Sequence, residues 1–141
     1  MADKLGPGSY NSTQLAIDLM ILQMNDIECQ RIKNSESERL THKHSSYQTS
    51  DVQLKYGEEI QLIRNEMRES EDKTSKEYYD LMSELEELET ERDSKTKLIE
   101  DELADAEKKY EIQDTTLETQ YNAVKADKEG MEDVQKSKIE R

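Results

Sequence analysis

The sequence predicts an all-α protein, a long antiparallel helical hairpin of the coiled-coil type that works as an oligomer. Three observations predict it. Between Glu77 and Lys138 there is no proline, and Gly130 is the only glycine. Within that stretch Leu103, Tyr110, Leu117, Val124 and Met131 recur every seven residues, beside a more polar line of Ile99, Ala106, Gln113, Gln120, Asp127 and Val134. Two lines so spaced are the seam of a coiled-coil helix. The third observation is composition: of 141 residues, 38% are charged and 32% hydrophobic, with seven Tyr and neither Phe nor Trp. A compact single-core domain carries more apolar weight, whereas a thin helical seam needs little. The length fits one domain.

Residues 1–12 read as a flexible lead-in, because Gly6, Pro7, Gly8 and Ser9 follow one another. Asn11, Ser12 and Thr13 offer N-caps for the first arm, residues 13–68. That arm opens with the most apolar run of the chain, 15–27, where nine of thirteen positions are Leu, Ala, Ile or Met. They cover nearly the whole helix circumference, so one neighbouring helix cannot bury them all. The run is too short for a bilayer, which takes roughly 20 residues. It fits burial among several helices of an oligomer or filament; a core within one chain and interfacial membrane insertion are the alternatives. The membrane is disfavoured, since such helices carry a basic polar face. Cys29, the lone cysteine, excludes an internal disulfide and is expected to pack as a small buried apolar residue.

Through residues 33–51 the apolar content falls to Leu40 and Tyr47, with Leu54 seven further on. That spacing predicts a wet helix continuing the seam, with a loop as the alternative. Val52, Tyr56, Ile60, Ile63 and Met67 resume a dense stripe. Gly57 interrupts it at a cost of about 1 kcal/mol relative to alanine, a candidate kink. Residues 69–76 hold no apolar side chain, and Thr74 and Glu77 stand at capping-box spacing. The hairpin turn is placed there, with Gly57 or the 34–50 segment as alternatives. The second arm, 77–141, begins with Tyr78, Leu81, Leu85 and Leu88. Ile99 follows Leu88 by eleven residues, which predicts a four-residue stutter. Gln113, Gln120 and Asp127 then fall on core positions, where polar residues specify register at a cost in stability.

A net charge of −14 disfavours nucleic acid, which needs a basic surface to displace counterions. It disfavours anionic membranes for the same reason. Metal-ligand spacing, a phosphate-cradling glycine loop, a nucleophile elbow and a calcium loop are all absent from the sequence. His42 and His44, two apart, point to different helix faces and read as surface side chains. The many carboxylates read as solvated, with ordinary pKa values. Glu91 with Lys95 and Asp93 with Lys97 read as structural pairs worth about 0.2–0.5 kcal/mol each. The expectation is a protein that is not an enzyme, with no catalytic, cofactor or metal residue. Cleavable signal and transmembrane patterns are likewise missing from the sequence, so the expected location is cytoplasmic or reached by signal-peptide-independent export.

The run at 15–27 and the heptads from Leu103 to Met131, with a polar middle between them, resemble the layout of helical-hairpin filament subunits. These are the needle and filament proteins of type III secretion and the terminal coiled coils of flagellin. The resemblance implies export without a cleaved signal and helical self-assembly, with N- and C-terminal helices lining a filament core. The charged C-terminus here (Lys136, Lys138, Glu140, Arg141) departs from the apolar end that such subunits often bury.

The expected function is therefore structural: a subunit that assembles with itself into a homopolymeric, appendage-like filament. The expected assembly interface comprises Leu15, Ile17, Leu19, Met20, Leu22, Met24 and Ile27, with Leu103, Tyr110, Leu117, Val124, Met131 and Val134 on the second arm. The alternative is a coiled-coil adaptor or chaperone that docks another protein through the 15–27 run.

Overall fold

A computed structural model describes residues 7–140 of the chain, with the side chains of 11–138. It consists of two helices packed against each other, α1 (Pro7–Glu69) and α2 (Lys76–Glu140), an all-α helical hairpin. α1 begins at Pro7, not at the expected caps around Asn11–Thr13. Proline suits the first turn of a helix, where its missing N–H had no partner in any case. Residues 1–6 of the expected lead-in lie outside the described residues. α1 is helical throughout 33–51 and across Gly57, where φ is not positive.

Residues 70–75 connect the helices. The Asp72 carboxylate accepts from both the N–H and the hydroxyl of Thr74, at 2.9 and 2.6 Å. These two bonds, the hydroxyl first, hold its pKa below the usual carboxylate value. The Asp72 carbonyl accepts from the Ser75 hydroxyl at 2.8 Å, and Lys73 Nζ donates to the Met67 carbonyl at the end of α1 at 3.0 Å. Ser75, not Thr74, is the N-cap of α2: its Oγ accepts the Tyr78 N–H at 3.2 Å. Thr74 is held by Asp72 and is not available for that task.

The chain divides into two compact units. Unit 1 joins Met1–Ser37 to Lys109–Arg141, and unit 2 is Glu38–Lys108. In unit 1 the buried apolar side chains are Ile17 and Ile27, with Met20 and Met24 half-buried between them. Polar contacts also cross its seam. Arg31 pairs with Asp114, the Asn34 amide donates to the Tyr110 carbonyl at 3.1 Å, Gln135 donates to Gln14 at 2.7 Å, and Lys138 donates to the buried Thr13 at 3.1 Å. In unit 2 Tyr56, Ile60 and Ile63 are buried. Around them Tyr56 donates to Glu91, Lys95 Nζ sits 5.1 Å from the Tyr56 ring centroid, and Arg64 pairs with Glu89 at 2.8 Å.

These partners displace the helical pairs expected on α2. Lys95 lies over Tyr56, and Asp93 accepts from its neighbour Arg92.

Candidate assembly interface

The interface expected from the sequence divides into two groups. Ile17, Met20, Met24 and Ile27 face α2. Leu103, Tyr110, Leu117, Val124 and Met131, all half-buried on α2, face α1. The hairpin itself takes up these side chains. Leu15, Leu19 and Leu22, spaced four and three apart, lie on the other side of α1 and are 60%, 57% and 64% exposed. Ile21 is exposed as well, and so is Val134 on α2. One neighbouring helix cannot reach a full apolar circumference, and α2 leaves this leucine stripe uncovered.

Other positions where burial was expected are exposed as well. Cys29 is exposed, seven residues beyond Leu22 on the same face. Leu40, Tyr47 and Leu54 do not continue the hairpin seam; they are 51%, 60% and 65% exposed. The seam runs instead through Glu38, Thr41, Ser45, Gln48 and Val52, where small and polar side chains pack. Thr49 donates to the Ser45 carbonyl within α1, and across the seam His42 Nε2 lies 3.3 Å from Glu107. His44 takes a different direction, lining a small groove with Ser45 and Leu103.

A one-residue shift explains the other difference on α2. Ala106, Tyr110 and Asp114 face inward at successive steps of four, a stutter additional to the one between Leu88 and Ile99. Beyond it Asp114, Tyr121, Lys128 and Gln135 turn inward, and Gln113, Gln120 and Asp127 stand exposed. The heptad line read through Gln113 continued a period that the helix had already broken. The signal was present at Arg31 and Asp114, an opposite-charge pair that fits only the shifted line. Tyr121 is half-buried there, and burial first, then its bond with Glu28, holds its phenol above the usual value.

Charge is unevenly shared. α1 carries ten acidic and seven basic residues, whereas α2 carries twenty-one acidic and ten basic. Among the described residues, three or more His, Cys, Asp or Glu side chains nowhere form a group able to hold a metal. No helix of the described residues is long and apolar enough to cross a membrane. Comparison with protein-family models, with curated proteins and with solved structures finds no match to this chain.

Proposed function

We propose that this chain is a self-assembling structural coiled-coil protein, the subunit of a homopolymeric helical filament. The observation that carries the reading is the leucine stripe Leu15, Leu19 and Leu22, turned to solvent on the side of α1 away from α2. Contiguous apolar surface of this kind marks a contact with another molecule. The seam to α2 is already filled, so the stripe is free to serve assembly without opening the hairpin. No chemistry on substrates is assigned to the chain.

Electron microscopy in negative stain, with light scattering on the same sample, tests the proposal. Regular fibres are expected, and Leu19→Asp with Leu22→Asp should abolish them while helical content by circular dichroism stays unchanged. Both side chains are exposed, so the hairpin has no need of them. Polymerisation that survives the double variant would refute the reading.

The charge of α2 favours a second reading, a coiled-coil adaptor or chaperone for a basic partner. It predicts discrete particles of a few chains and a stoichiometric complex once the partner is supplied.

A further inference from the structure

Within unit 1, α2 presents two exposed lines, and charge separates them. Eight positions from Glu111 to Lys136, at alternating steps of four and three, are all exposed, and Glu111, Glu118, Lys125, Glu129, Glu132 and Lys136 make six of them charged. Eight more from Gln113 to Ser137, at alternating steps of three and four, are exposed too, and Asp127 is the one charge among them. Charged side chains solvate an exposed helix. A line without them suits a surface that gives up its water in a contact, where charge is depleted.

The shape of the bare line fits leucine. In a coiled coil each knob enters a hole made by four residues of the facing helix, at i, i+3, i+4 and i+7. Thr116, Thr119, Gln120 and Ala123 make one such hole without a charge, and Ala123, Ala126, Asp127 and Gly130 make the next, seven residues on. Ala123, Ala126 and Gly130 keep the second hole open, and a Cβ at Gly130 would meet nothing within 4 Å. The Thr116 and Thr119 hydroxyls donate to the Ile112 and Thr115 carbonyls of their own helix, at 2.8 and 2.9 Å. Covering the first hole therefore strands neither donor.

We infer that this face of α2 receives the leucine stripe of a second copy, through unit 1 of both. The inference rests on the self-assembly reading and names the surface on which the stripe docks. Leu15 and Leu22 stand seven apart, the spacing of the two holes, and the stripe bears no charge before Asp26. Laid on the other line, the same leucines would strip water from six charges and offer no partner in return. Two stripes paired with each other would close as a twofold dimer and stop there. Stripe on face is a heterologous contact, in which each copy gives one surface and takes another. Such contacts run on into helical polymers unless they close as rings. The stripe and the face lie on different helices, and the stripe is turned away from α2, so one copy engages two neighbours at once.

Ala123 borders both holes and is exposed, so Ala123→Glu tests the face without touching the seam. In the full chain it should abolish fibres in negative stain while circular dichroism stays unchanged. Asn122→Glu, one residue away on the charged line, should leave the fibres intact. Mixing then reads the direction of the contact. Leu19→Asp with Leu22→Asp keeps the face, and Ala123→Glu keeps the stripe. Neither variant should polymerise alone, and together they should sediment as a complex of one chain each. Fibres that survive Ala123→Glu, fibres lost equally with Asn122→Glu, or two variants that stay monomeric when mixed would each overturn the inference, while wild-type fibres still upheld self-assembly. A wild type without fibres removes both.

Discussion

Arg31 and Asp114 meet at two points in unit 1, Nε to Oδ1 at 3.0 Å and Nη2 to Oδ2 at 3.3 Å. Both side chains are partly exposed, and both stand on the inward lines of their helices. The planar guanidinium fits a carboxylate only in one relative placement, which a lysine cannot reproduce. The pair therefore acts as a register mark more than as a source of stability, because partly exposed ion pairs contribute little.

Acid should weaken unit 1 through this pair. The Arg31 hydrogen bond holds the Asp114 carboxyl below its ordinary value, against the opposing effect of desolvation. The native chain thus binds that proton more weakly than the unfolded chain does. Its contribution is complete above about pH 4 and is lost as pH falls through the lowered native value. Unfolding followed by circular dichroism against pH should show a shallower acid limb for Asp114→Asn than for wild type. Asp72, also held low, adds to the same limb, so Asp72→Asn is the companion variant. An acid limb identical in Asp114→Asn and wild type would exclude the linkage.

Ile60 is the most deeply buried apolar side chain described, 2% exposed. Ile60→Ala should cost about 2 kcal/mol, near the low end for such truncations, because water can enter a two-helix seam and partly fill the gap. Urea unfolding measures it. A cost as small as that of the exposed Leu62→Ala would mean that unit 2 is not held by this seam.

Gly57 and Gly130 lie inside helices, and a Cβ added at either meets nothing within 4 Å. Neither adopts positive φ. Alanine at each position should therefore stabilise the hairpin by about 0.5–1 kcal/mol through helix propensity alone. A loss of stability at Gly57 would indicate a close approach there that the single chain does not show.

The two-helix architecture was legible because proline is absent from both arms and apolar residues recur at helical spacing. The facing of several residues was not. α1 carries two interleaved lines, one through Ile17, Met24 and Ile63 and one through Leu22, Tyr47 and Leu54, and periodicity scores both. The more apolar line between 33 and 54 is the outer one, so hydrophobicity pointed away from the true seam of Thr41, Ser45 and Gln48. Cys29 was misread for the same reason. On α2 the second stutter falls between Tyr110 and Asp114, and the residue that records the change of phase is a carboxylate, not an apolar side chain. The candidate interface was half legible: the run at 15–27 stood out, but only the position of α2 separates Leu15, Leu19 and Leu22 from Ile17 and Ile27.

The turn at 70–75 also sets an order in time. Cross-helix contacts near it join residues close in sequence, 25 apart for Arg64 with Glu89, whereas Thr13 and Lys138 are 125 apart. Closing the long loop directly costs more entropy than extending a hairpin already begun, so the helices zip from the turn outward. During synthesis residues 15–27 emerge well before the α2 residues that will cover Ile17 and Ile27. Until those residues follow, the chain shows the entire apolar circumference of that segment, inner face included. Two nascent chains that meet in that interval pair through the wrong face, so a cell making this protein has reason to keep residues 15–27 shielded until those α2 residues arrive.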